Sequence, residues 1–139
     1  MNEEHNAGVV RRFYEGWNAG AIDFESLVDD DIVNHQPEVE PERGRRPFAE
    51  AVSRVMAAVP DSKWEILDLL ADGDRVAVRT MWSGTYRGDQ FRGVRTPTPG
   101  AFSHEHIHIY RLVDGKLAEH WVVRDDLTML RQLGALGGD

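Results

Sequence analysis

Between residues 6 and 19 the apolar positions Val10, Phe13, Tyr14 and Trp17 recur at i, i+3, i+4 and i+7, the spacing of one helix face. Gly20 follows as a stop. DFESLVDD reads as a short helical turn with Asp23 as its N-cap, and DIVNHQP as a short strand ended by Pro37. VEPERGRRP is a polar loop. A further helix is expected over residues 47–59, with Phe48, Val52, Val55, Met56 and Val59 in one stripe. Pro47 suits its first position and Pro60 its end.

Beyond residue 60 the period changes from 3.6 to 2. KWEILDLLADGDRVAVRTMWSGTYRG is two strand-like runs around DGD, and FSHEHIHIYRLVDGKLAEHWVVRD is a second hairpin turning at Asp114-Gly115. QFRGVRTPTPGA between them is a long loop. An apolar-striped helix over residues 127–133, with Gly134 as its cap, ends the pattern. Helices set ahead of an antiparallel meander imply a single α+β domain over residues 1–139. Its strongly curved antiparallel or mixed sheet would wrap as a cone around an internal pocket, with three to four helices over it.

Within the second hairpin, His104, His106 and His108 share one strand face and Ile107 and Ile109 the other. Three readings stand for the imidazoles: pocket-lining donors, a polar stripe facing solvent or a dimer partner, or a metal site completed by His35, His120 or a carboxylate. The outer two lie roughly 13 Å apart along a strand, too far to share one ion. In the last strand Leu117, Glu119, Trp121, Val123 and Asp125 alternate onto one face, which Trp121 and Val123 mark as inward. An Asp at the inner end of that row would be desolvated and its pKa raised toward a useful base. The competing role for Asp125 is to N-cap the last helix, which Asp126 could do instead. Tyr14, Trp17, Trp82 and Trp121 are either core or a surface for a flat substrate.

Composition removes other chemistries. The chain of 139 residues has no cysteine, which excludes disulfides and thiolate catalysis and permits a reducing cytoplasm. A net charge of −8 argues against nucleic acid and anionic membranes as partners. There is no spanning apolar run, no signal-peptide pattern at the N-terminus, no phosphate loop and no dinucleotide fingerprint.

IYRLVDGKLAEHWVVRDDLTMLRQLG closely resembles the C-terminal signature of SnoaL-like polyketide cyclases, and VVRRFYEGWNAGAIDFESLVDDDIVNH resembles that family's first helix and strand. The resemblance implies a nuclear-transport-factor-2-like α+β barrel, a homodimer with one pocket per subunit, and acid/base chemistry without cofactor or metal. The implied reaction is an intramolecular aldol ring closure, or a related isomerisation, of a small hydrophobic or aromatic carbonyl or ester substrate. The family's acid/base Asp falls on Asp125, a polar residue of the first strand on Asn34 or His35, and a polar group before the Asp-Gly turn on His106 or His108. His104 then joins Tyr14, Trp17, Trp82 and Trp121 in holding the substrate. The alternatives are a non-catalytic dimeric ligand-binding domain, a metal-dependent enzyme, or an epoxide hydrolase using Arg124 beside Asp125. Because Arg124 and Asp125 alternate faces, the last is disfavoured.

Overall fold

The structure, a computed structural model, describes residues 2–136 apart from 38 and 98. The first helix, α1 (Glu3–Asn18), starts where the Asn2 side chain accepts from the His5 amide, with Glu3 and Glu4 in its first turn. It ends before Gly20, whose φ of 74° turns the chain away. Its inward face buries Val9, Val10, Phe13, Tyr14 and Trp17. Full burial of such side chains contributes roughly 10 kcal/mol before entropy, far more than helix propensity, so packing holds α1 in place. Asp23 caps α2 (Phe24–Leu27) as expected, and β1 (Val28–His35) follows directly.

After the two-residue β2 (Glu42–Arg43), α3 (Arg45–Ala58) begins two residues earlier than the pattern suggests. Gly44, at φ 116°, ends the preceding loop, and Pro47 falls in the first turn, where its missing N–H needs no partner. Then come β3 (Lys63–Asp72), β4 (Arg75–Tyr86), β7 (Gly100–Val113) and β8 (Lys116–Arg124), and finally α4 (Asp126–Gln132). The expected loop before β7 contains a small hairpin, β5 (Gln90–Phe91) and β6 (Val94–Arg95). It turns through Arg92 and Gly93, both at positive φ.

The main sheet runs β2-β1-β8-β7-β4-β3. Every pairing is antiparallel except β1 with β8, so the sheet is mixed. The expected curved α+β sheet with four helices is therefore the architecture found. Bulges kink and twist a sheet, and the pairings of β1, β3 and β8 each carry an irregularity. That in β8 decides side-chain direction. Arg111 lies opposite Glu119 and Leu112 opposite Leu117, so Ala118 is the extra residue. Leu117 and Ala118 are consequently both buried, and the inward parity flips from odd to even numbers. At the other end of the sheet, Gly84 lets α3 close in: a Cβ there would stand 2.5 Å from Val59 Cγ1. Among the described residues no helix is long and apolar enough to cross a membrane.

Candidate functional site

Between the sheet's inner face and helices α1 and α3 lies a cavity of about 820 Å³. Phe13, Tyr14 and Trp17 enter from α1, and Phe48 and Val52 from α3. Asn34 comes from β1, Trp64 and Trp82 from β3 and β4. His106, His108 and Tyr110 come from β7, and His120, Val122 and Arg124 from β8. Six of the sequence candidates line this cavity: Tyr14, Trp17, Asn34, Trp82, His106 and His108.

All three histidines of β7 face inward and are buried, while Ile107 and Ile109 face out. They pair with other imidazoles rather than with carboxylates. His106 Nε2 lies 3.1 Å from His104 Nε2. His108 Nδ1 lies 2.8 Å from His120 Nε2, and His120 Nδ1 lies 2.6 Å from Asn34 Oδ1. His104 stands behind the wall, against Phe102 and Trp82, and does not line the cavity, so it is not placed to hold a substrate. Among the described residues, no group of three or more His, Asp or Glu side chains is arranged to hold a metal.

Burial dominates the electrostatics. Burial makes an imidazolium cost several kcal/mol, so each ring is held neutral. Burial, reinforced by His104, lowers His106 to about 2. Burial, with His35 and Arg124 adding to it, lowers His120 to about 3. His108 is pushed well below the ordinary imidazole value by burial first and by His120 second. On the adjoining wall the Tyr14 and Tyr110 hydroxyls lie 2.6 Å apart. Burial raises both, so both keep their protons. One hydroxyl donates to the other, which leaves a single O–H free to donate elsewhere.

The parity flip at Ala118 overturns the expected inward face of β8. His120, Val122 and Arg124 point in, whereas Glu119, Trp121 and Val123 point out. Asp125 is exposed and N-caps α4, accepting from the Thr128 amide at 3.1 Å and its hydroxyl at 2.6 Å. Those bonds, the side-chain one foremost, lower its pKa, opposite to the rise expected of a buried base. The carboxylate turned toward the inside of this strand end is Asp126. Its oxygens accept from Arg124 Nε at 3.2 and 3.3 Å, and one lies 4.0 Å from His104 Nε2. Arg124 also donates to Gln36 Oε1 at 2.7 Å. With Arg124 inside and Asp125 outside, these two do not form the relay that epoxide hydrolysis would need.

Two further candidates lie on the outer face. His35 Nε2 is 2.7 Å from Glu119 Oε2, and its ring stacks on Trp121 at 5.1 Å. The Arg75 guanidinium also lies over that indole, at 4.9 Å. Adjacent strand residues face opposite ways, so with Asn34 inside His35 must be outside. Tyr110 was absent from the expected acid/base site, and His120 and Arg124 entered the sequence reading only as a possible metal ligand and as part of an epoxide-hydrolase relay. Tyr110 shares the histidines' parity and could have been included. His120 could not, because its place depends on the bulge and on the parallel pairing of β1 with β8.

Comparison with known proteins gives one family. A match to SnoaL-like polyketide cyclases spans residues 7–133. Aklanonic acid methyl ester cyclase DnrD of Streptomyces peucetius is 33% identical over 91% of this chain and 88% of its own. The enzyme of the same name from Streptomyces sp. (strain C5), DauD, is 31% identical over 91% and 80%. Among solved structures, TsrD from Streptomyces laurentii superposes with a TM-score of 0.81 at 27% identity, covering 97% of this chain and 98% of that one.

Proposed function

The chain belongs to the SnoaL-like polyketide cyclase family, and on that footing we propose that it closes a ring in a polyketide-derived keto ester by cofactor-free acid/base catalysis. The observation that carries this reading is the cavity wall itself: neutral buried imidazoles stand beside a pair of neutral phenols. An intramolecular aldol closure needs both kinds of group. His108 takes the proton from a carbon between two carbonyls, and the resulting enolate attacks a second carbonyl of the same molecule. The free hydroxyl proton of the Tyr14–Tyr110 pair moves to the oxygen of that carbonyl. Return of the proton from His108 to the phenol restores the enzyme. One C–H and one C=O become one C–C bond and one O–H, so the product is an isomer of the substrate. Trp17, Trp64 and Trp82 stack on the flat body of the substrate.

Two flanking carbonyls make that C–H acidic and so lessen what is asked of the base. The substrate class of the two cyclase relatives is the natural probe. Purified protein is incubated with aklanonic acid methyl ester, and conversion to an isomer of identical mass is followed by chromatography. Tight binding without conversion would replace the enzyme reading with that of a ligand-binding domain.

We also propose a cytoplasmic homodimer. The outer face of β7 and β8 supports it: Ile107 pairs with Val123 and Ile109 with Trp121. Ile107 is 49% exposed and Val123 72%. Neighbouring apolar side chains on a sheet face suit a second copy better than water.

A further inference from the structure

The bonds between Asn34, His120 and His108 have a direction. We propose that Asn34 and His120 are positioning residues that lock His108 as its Nδ1–H tautomer and so leave its Nε2 as the atom with the free lone pair. The inference rests on the acid/base reading of this pocket and says which atom does the work. The direction is set at Asn34, because a carbonyl oxygen carries no proton. His120 Nδ1, 2.6 Å from Asn34 Oδ1, must therefore be the donor. Its ring is neutral, so its Nε2 is bare and can only accept. His108 Nδ1, 2.8 Å from that nitrogen, must then carry the hydrogen. This leaves His108 Nε2 unprotonated, and that atom is buried with no hydrogen-bond partner in the protein.

The second histidine pair lacks such an anchor. His104 and His106 meet through their Nε2 atoms, and both Nδ1 atoms are buried without a partner. Either ring can carry the shared hydrogen, so nothing sets the tautomer of His106. The rings of Trp64, Tyr14 and Tyr110 pack around His108 and keep its plane fixed. When Nε2 takes a proton from carbon, the electron pair stays on the substrate as an enolate. The new imidazolium is steadied through its Nδ1–H by His120, which is steadied in turn by the Asn34 carbonyl. An amide at the end of the chain orients the base without adding charge. A carboxylate there would strengthen the base and would need its own counterion in the wall.

Protein labelled with nitrogen-15 in histidine tests this without any substrate. Long-range proton–nitrogen correlation spectra distinguish Nδ1–H from Nε2–H rings, and single His→Gln variants assign the signals. His108 and His120 are both expected as Nδ1–H. An Nε2–H signal for His108 would mean that the chain runs the other way, with the Asn34 amide donating, and would overturn the proposal. Asn34→Leu is expected to mix the His108 tautomers and to lower kcat on aklanonic acid methyl ester roughly 100-fold, with KM within about twofold. A folded Asn34→Leu protein with unchanged tautomer and unchanged kcat would also overturn it. Should the wild type fail to turn over the ester, the acid/base reading falls, while the spectra still decide the tautomer.

Discussion

Strand β7 carries two faces that reverse the usual order. Inside are His104, His106 and His108; outside are Ile107 and Ile109, with Trp121 and Val123 beside them on β8. A sheet built only for stability would put the isoleucines inside and the imidazoles in water. Each reversal costs free energy. Buried imidazoles give up hydration that single hydrogen bonds restore only in part, and exposed isoleucines gain nothing from burial. The readings proposed above give each face an occupant, a substrate within and a second subunit without. The inner face therefore tests the chemistry and the outer face the assembly.

Acid should break the inner face first, and this is the largest effect expected. The folded-state pKa values of His106, His108 and His120 lie below the unfolded value of about 6.5. The unfolded chain therefore takes up protons that the fold refuses, and stability is full above pH 6.5 and falls as the pH drops toward the folded values. At pH 5 each ring costs about 2 kcal/mol, so three together remove roughly 6 kcal/mol, much of what a domain of this size has. Carboxylates with lowered values, such as Glu119 beside His35, add their loss only below about pH 4. Thermal melts at pH 7.5 and 5 should differ widely; equal midpoints would mean that the imidazoles are hydrated or ion-paired. Next in size is His108→Gln, which keeps a hydrogen-bonding side chain of similar reach but cannot take a proton. Its kcat should fall roughly 1,000-fold, or about 4 kcal/mol, with the melting midpoint nearly unchanged when measured at neutral pH.

The outer face is broken by charge. Ile107→Glu with Val123→Glu should halve the mass seen by light scattering and leave the inner face and the fold intact. A mass that stays at one chain in the wild type would remove the dimer and leave the exposed pair without a partner.

Much of this fold was legible because local signals agreed with the global structure. The 3.6 period of α1, the Asp23 cap, the two Asp-Gly turns and the alternation through His104, His106 and His108 each needed only a few neighbouring residues. The site was legible where one unbroken alternation ran through it, as on β7. It failed on β8, where one extra residue at Ala118 moved His120 and Arg124 inside and put Trp121 and Asp125 outside. Nothing in KLAEHWVVRD announces that bulge, because it is set by pairing with β7. The choice between Asn34 and His35 was equally non-local. It was made by the parallel pairing that puts Asn34 opposite His120, 86 positions away.

Asp125 gives the smallest effect and separates two meanings of one residue. Its place in the family signature points to chemistry, while its geometry makes it a helix cap bonded to Thr128. This carboxylate is exposed, is held by two hydrogen bonds to Thr128, and does not touch the cavity. Asp125→Asn retains an oxygen that can accept from the Thr128 amide. It should lower the melting midpoint slightly and leave kcat within about twofold, the size of an effect that involves no lost proton transfer. A loss of kcat as deep as that of His108→Gln would instead require the strand end to turn inward during the reaction. The carboxylate would then be shared between the cap and the substrate, and the division between an inner chemical face and an outer structural one would fail at Asp125.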